Sequence, residues 1–203
     1  HSSGRMGFAV AAAAVEAGAS VTLVSGPVRL DTPAGVQRID VESAADMYAA
    51  VMQAVAVADI FISVAAVADY RPAAVAEQKL KKEAAEVSLQ LEPNPDILAA
   101  VAALPDAPFT VGFAAETESV ENNARLKRQD KGIDMIAANQ VGNGLGFNSD
   151  ENALQVFWDT GEQQLAVTGK QRLARQLTEL IALRFQHGLH QGKVLKFNAK
   201  DSA

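Results

Sequence analysis

Apolar residues recur along this chain in two patterns that take turns. Alanine-rich stretches of helix-forming composition occupy 7–17 and 43–57, the first stopped by Gly18 and the second opened by Ser43, a residue type that caps helix N-termini. β-Branched runs at 20–25 and 37–41 lie between them, the first closed by Gly26-Pro27. The run Ile60-Phe61-Ile62-Ser63-Val64-Ala65-Ala66-Val67 is apolar at every position but Ser63, as a strand buried on both faces requires, and predicts a strand over 59–67. Farther on, 87–91 alternates like an exposed or edge strand, and Asn94-Pro95-Asp96 opens a helix to 104 with proline near its first turn. The stretches 109–115, 119–130 and 134–138 then read as strand, helix and strand.

The last third changes rhythm. Two alternating runs, 153–158 and 164–167, flank the turn Asp159-Thr160-Gly161 and predict a hairpin. A final amphipathic helix over 170–186 carries Leu173, Leu177, Leu180, Ile181 and Phe185 on one face, and the residues after Gly188 read as a tail. Alternation of strands and helices predicts an α/β fold: a Rossmann-like doubly wound, mostly parallel sheet with a C-terminal β-hairpin and helix. One nucleotide-binding domain over 1–188 and a tail over 189–203 are expected. Since such a sheet begins with a strand and this chain begins with a loop, the first strand is expected upstream of residue 1.

With 203 residues, 49% of them hydrophobic, the chain suits one globular domain with a sizeable core. A net charge of −6 argues against a broadly basic surface for nucleic acid, so any anion site must be local. The absence of cysteine excludes disulfides and thiolate zinc sites and suits the cytoplasm. No apolar stretch reaches the roughly 20 residues that cross a bilayer, and no membrane partner is expected.

Candidate chemistry concentrates after the longest apolar run. It delivers Asp69 and Arg71 at its carboxyl end, where open α/β sheets hold their ligands, and Lys79, Lys81 and Lys82 follow. One carboxylate beside several cations suits a polyphosphate and its metal ion. The plainer reading pairs Asp69 with Arg71 and leaves the lysines as a solvated run. Ser2-Ser3-Gly4-Arg5-Met6-Gly7 supplies small residues and a cation at a helix start, an anion site or a simple turn; neither a Walker loop nor a full dinucleotide fingerprint occurs. Asp96 is electrostatically comfortable at its helix start, and Lys127 and Lys131, one turn apart, can reach one anion or lie on the surface. Gly142-Asn143-Gly144-Leu145-Gly146 reads as a loop, and His187 and His190 are placed in the tail beyond the last helix, with no catalytic or metal role expected.

Several ordered segments together resemble one family. Besides the segments around Ser2, Ala65 and Lys79, they include Val21-Thr22-Leu23-Val24-Ser25-Gly26-Pro27, Asn94-Pro95-Asp96-Ile97-Leu98, Val111-Gly112-Phe113-Ala114-Ala115-Glu116-Thr117 and Gly146-Phe147-Asn148-Ser149-Asp150. On these the chain closely resembles the phosphopantothenoylcysteine synthetases of bacterial coenzyme A biosynthesis, usually the C-terminal half of a bifunctional protein whose N-terminal half is a flavin decarboxylase.

The resemblance implies a homodimeric ligase using CTP, Mg²⁺, 4′-phosphopantothenate and L-cysteine, with flavin confined to an upstream decarboxylase half. By matching position it implies a CTP site of Ser63, Val64, Ala65, Asp69, Lys79, Pro95, Asp96, Ile97, Leu98, Phe113, Lys127 and Lys131. Lys79 matches the family's catalytic lysine, Asp69 is the candidate for the metal or the ribose, and Ser2, Ser3 and Gly4 would form part of an acyl-cytidylate pocket. The family's asparagine directly before this segment falls before residue 1, and Gln140 stands where relatives often carry aspartate. From fold alone, a Rossmann-like dehydrogenase or a nucleotide-binding regulatory module remain as alternatives.

Overall fold

A computed structural model describes residues 3–74, 88–140 and 151–198. Helix α1 (Arg5–Glu16) starts from Gly4, whose φ of 73° suits glycine. It ends as its composition predicts: the Gly18 N–H reaches the Val15 carbonyl at 2.9 Å and the Ala19 N–H reaches that of Ala14 at 3.0 Å, with Gly18 at φ 90°. Strands β1 (Val21–Ser25) and β2 (Val36–Asp40) pair in parallel. Helix α2 (Ala44–Val55) opens with a reciprocal cap in which Ser43 accepts from the Asp46 N–H and Asp46 accepts from the Ser43 N–H.

The larger sheet holds five strands in the order β3 (Ile60–Ser63), β6 (Phe109–Glu116), β7 (Met135–Gln140), β8 (Glu151–Trp158) and β9 (Gly161–Gly169). The first three run parallel and the hairpin β8–β9 joins antiparallel, as expected of a mostly parallel sheet with a C-terminal hairpin. Between β3 and β6 a small antiparallel ribbon forms from β4 (Tyr70–Pro72) and β5 (Leu91–Pro93), followed by α3 (Ile97–Ala102). Helix α4 (Val120–Lys131) links β6 to β7, and α5 (Lys170–Asn198) closes the described chain.

Strand periodicity sorts the core into layers. Val111, Met135, Ala137, Leu154 and Val156 face α1 and α5, meeting Val10, Ala13, Leu173, Leu177 and Ile181. Ala114, Ile136, Ala138 and Phe157 face the other way, onto Leu98 of α3 and Ala124 of α4. Both faces are therefore covered, which is why β6 from Val111 to Ala115 and β7 from Met135 to Ala138 carry no polar side chain. Gly112 lies on the second face, where an added Cβ would come within 2.7 Å of Leu98 and 2.8 Å of Ile133; only glycine lets α3 sit this close. At the opposite end of β6, the Asp134 carboxylate accepts from the Thr110 N–H at 2.7 Å and its hydroxyl at 2.8 Å, pinning β6 to the start of β7.

Four expectations change. Strand β3 stops at Ser63 instead of 67, because beyond Ser63 opposite Gly112 the backbone leaves the sheet to reach the ribbon. The strand expected over 87–91 is observed as Leu91–Pro93; its partner Tyr70–Pro72, to which the sequence pattern assigns no element, decides the register. The hydrogen-bonded strands form two parallel groups, β1-β2 and β3-β6-β7, instead of one ladder. Helix α5 does not end near 186 but runs on to Asn198: Gly188 does not take the positive φ of a terminating glycine, and no proline follows it. The residues after 188 that read as tail thus begin as helix.

Candidate functional site

The carboxyl ends of β3 and β6 converge with three other segments. Ser63 at the end of β3 is the register partner of Gly112 midway along β6, so half-buried Phe113 follows on β6 where Val64 leaves the sheet. Val64 meets the first turn of α1, where a Cβ on Gly7 would lie 3.7 Å from it, and this brings the Gly4 end of α1 to the same rim. Ser63 and Val64 are half-buried, Ala65 and Asp69 exposed. Ser3 is exposed and Gly4 half-buried; Ser2 lies outside the described residues, as do Lys79, Lys81, Lys82 and the 142–146 loop.

From the ribbon side, the approach to α3 is tied to the turn that follows β3. The Asn94 N–H donates to the Asp69 carbonyl at 2.8 Å, and the Asn94 side chain donates to the Ala68 carbonyl at 2.8 Å. Two backbone acceptors that left the sheet thus find partners. Arg71 does not pair with Asp69: its Nε donates to Glu92 at 2.7 Å and its Nη1 to Asn94 Oδ1 at 3.0 Å. Directly opposite in the β4–β5 register, Glu92 reaches the guanidinium without bending the backbone.

Asp96 caps α3 by accepting from the Ala99 N–H at 3.1 Å and forms an ion pair with Lys131 of α4. Pro95 and Asp96 are exposed, whereas Ile97 and Leu98 are buried at 7% and 8%, so only their backbone can meet a ligand. Lys127, half-buried one turn before Lys131, forms no ion pair among the described residues. The structure therefore brings together Ser63, Val64, Phe113 and the Gly4 end of α1, and separately joins Asp96 to Lys131; it draws Asp69 toward the latter set through Asn94.

Burial alone pushes the Asp96 carboxyl up, but the hydrogen bond and charge of Lys131, with the Ala99 and Leu98 N–H groups, outweigh it and hold the carboxyl below the ordinary aspartate value of 3.8. A folded value below the unfolded one means that the pair contributes above the ordinary value and fades as pH falls through the lower folded one. Titration of the Asp96 carboxyl carbon by NMR is expected to place its midpoint below 3.8; a midpoint at or above it contradicts the pair.

Elsewhere, a hollow of about 500 Å³ at the carboxyl ends of β1 and β2 is lined by Pro27, Val28, Arg38, Asp40, Val41 and Glu42. It contains none of the candidate residues. Its cation is already engaged: Arg38 donates to Asp40 and the Leu30 carbonyl and stacks on Phe8 at 5.2 Å. Among the described residues no group of three acidic, histidine or cysteine side chains could hold a metal ion. No helix among them is long and apolar enough to cross a membrane.

The sequence reading missed the side-chain role of Asn94, which it took for an ordinary helix start. No local pattern marks it, because its partners lie 23 and 26 positions earlier.

Residues 1–184 match the family described as DNA/pantothenate metabolism flavoprotein C-terminal domain. A curated relative from Vibrio cholerae, "Coenzyme A biosynthesis bifunctional protein CoaBC", is 56% identical over 185 residues, 89% of this chain and 46% of that protein. The protein of the same name from Escherichia coli K12 is 53% identical over 190 residues, 91% of this chain and 47% of that protein. The chain spans about half the length of the curated relatives it matches. The crystal structure of the C-terminal domain of a Coenzyme A biosynthesis bifunctional protein CoaBC is similar at a TM-score of 0.77 and 36% identity, with 92% of this chain and 85% of that one covered. A DNA/pantothenate metabolism flavoprotein from Streptococcus pneumoniae shares the fold at a TM-score of 0.75 and 19% identity, over 90% of this chain and 89% of that one.

Proposed function

Because the chain belongs to the DNA/pantothenate metabolism flavoprotein C-terminal domain family, we propose that it is a phosphopantothenate–cysteine ligase of coenzyme A biosynthesis. The carboxylate of 4′-phosphopantothenate attacks the α-phosphate of CTP; pyrophosphate leaves and an acyl-cytidylate forms. The amine of L-cysteine then attacks the acyl carbon, and CMP departs with the electrons of the broken C–O bond. The observation that carries this reading is the joining of the β3 and β6 ends with the Asp69, Asn94 and Asp96 segments at the carboxyl rim, in a chain related to that family over residues 1–184.

Roles follow from chemistry. Ser63, Val64 and Ala65 with Asp69 border the nucleotide on one side, and backbone groups of Pro95, Asp96, Ile97 and Leu98 suit the edge of its base. Phe113 offers a flat apolar wall, and Lys127 and Lys131 offer cations to phosphate or ribose oxygens, Lys131 after exchanging its partner Asp96. Lys79 stabilises the charge that gathers on the α-phosphate and pyrophosphate. Ser2, Ser3 and Gly4 cradle the acyl-cytidylate. Asp69, exposed and without a side-chain ion pair among the described residues, suits Mg²⁺, which is commonly held by one or two carboxylates and substrate phosphates; bound there, the ion would neutralise triphosphate charge.

A cytoplasmic setting, fusion to a decarboxylase half that holds the flavin, and a homodimer belong to the same proposal. The exposed apolar face of the β4–β5 ribbon supports the dimer: Tyr70 and Leu91 are 62% and 58% exposed, with Leu89 close by at 66%. The direct test is exchange of labelled pyrophosphate into CTP. Exchange is expected only with phosphopantothenate present and without any need for cysteine. CTP binding without exchange would leave a regulatory nucleotide module instead.

A further inference from the structure

We propose that Asn94 is a positioning residue: its one amide locks the turn after β3 to the approach of α3, and so holds the two candidate carboxylates, Asp69 and Asp96, in fixed relation. This rests on the nucleotide-site reading above. The turn and the approach come from distant parts of the chain; beyond the β4–β5 pairing and the Arg71–Glu92 bond, three hydrogen bonds among the described residues join them, each through Asn94. Its N–H donates to the Asp69 carbonyl at 2.8 Å, its Nδ2 donates to the Ala68 carbonyl at 2.8 Å, and its Oδ1 accepts from Arg71 at 3.0 Å.

The amide orientation follows from its partners. A guanidinium only donates and a carbonyl only accepts, so Oδ1 must face Arg71 and Nδ2 must face Ala68. Aspartate would keep the contact to Arg71 but set a carboxylate oxygen against the Ala68 carbonyl, and alanine would lose both bonds. Arg71 is held in turn by Glu92, which steadies the acceptor side of the joint. Only Pro95, with its φ restricted by the ring, separates Asn94 from Asp96, so little slack exists between the joint and the Asp96–Lys131 pair. Through Asn94 the loop that carries Asp69 and the helix start that carries Asp96 move as one body.

The test compares Asn94→Ala and Asn94→Asp with the unaltered 203-residue chain. Misplacing a binding group by about 1 Å costs up to roughly a hundredfold, so kcat/KM for CTP in the exchange reaction is expected to fall about ten- to a hundredfold in Asn94→Ala. The loss should sit mainly in the KM for CTP, leave the KM for phosphopantothenate nearly unchanged, and be only partly rescued by Asn94→Asp. Unchanged kcat/KM for CTP, or equal rises in both KM values, overturns the proposal. Amide hydrogen exchange reads the joint independently of activity: Asn94→Ala is expected to speed exchange both around 69–72 and at 96–100, and unchanged rates in either segment overturn it. If the unaltered chain catalyses no pyrophosphate exchange, the ligase reading fails while the hydrogen-exchange result still decides the joint. Should Asn94→Ala not fold, Asn94→Asp, nearly equal in volume, is expected to show the same two-segment acceleration, and its absence is equally decisive.

Discussion

Glutamine in place of Lys79 is expected to lower the rate of acyl-cytidylate formation by about 10²–10³-fold, the range seen when one preorganised stabiliser of transition-state charge is removed. Glutamine keeps most of the side chain's length and a hydrogen-bond donor but removes the positive charge, so the experiment isolates electrostatics. Attack on the α-phosphate shifts negative charge toward the departing pyrophosphate, and a cation that meets the ground-state triphosphate weakly and the departing group strongly affects kcat more than KM. The melting temperature should hold, since the exchange replaces one long polar side chain by another. Pyrophosphate exchange and rapid-quench detection of the cytidylate measure the effect. Turnover within a few-fold of the unaltered chain would take Lys79 out of the mechanism and leave phosphate stabilisation to Lys127 and Lys131.

Leu177→Ala on α5 carries the largest expected loss of stability, about 2–5 kcal/mol by the usual range for emptying a buried leucine site. Leu177 is fully buried among residues of β6–β9 and α1, so truncation removes dispersion contacts on several sides and leaves a hollow that rigid neighbours fill poorly. A loss of 3 kcal/mol would move the melting midpoint of a domain this size by roughly 6–12 °C. Leu183, on the same helix but 51% exposed, provides the control, and Leu183→Ala is expected to change stability by no more than about 0.5 kcal/mol. Urea titrations of both variants give the comparison. Equal effects would mean that α5 does not seal this face of the sheet as described.

The layers were legible in advance because burial leaves a period. Leu173, Leu177, Leu180 and Ile181 recur at helical spacing and all prove buried on one face, and β6 is free of polar side chains from Val111 to Ala115 because helices cover it on both sides. The cap at Ser43 and the stop at Gly18 were legible for a related reason: each is a bargain struck within a few residues of chain. Edges were harder. Strand β3 ends four residues sooner than its composition suggests, since what ends it is the loss of its partner beyond Gly112, a fact about another strand. Gly188 looked like a terminus, yet the helix passes through it, because a glycine stops a helix only when the chain beyond it adopts a cap.

Of the candidate site, the apolar run and the charges after it, together with the family resemblance, point to the carboxyl rim and to the residue types expected there. They do not show which polar group meets which. Arg71 has an acid two positions before it and takes Glu92, far along the chain, because the ribbon sets them face to face. Asp96 finds Lys131 because α3 and α4 both pack on the second face of the sheet. The sequence by itself determined most of the elements, the caps at Gly18 and Ser43 and the faces the helices and central strands bury, all of which depend on neighbours within a few residues and on the transfer of apolar surface out of water. Tertiary structure alone decided the ends of the strands and the partners of Arg71, Asn94 and Asp96, because a hydrogen bond of about 3 Å demands that two distant segments arrive at the right place and angle, and no local spacing encodes that meeting.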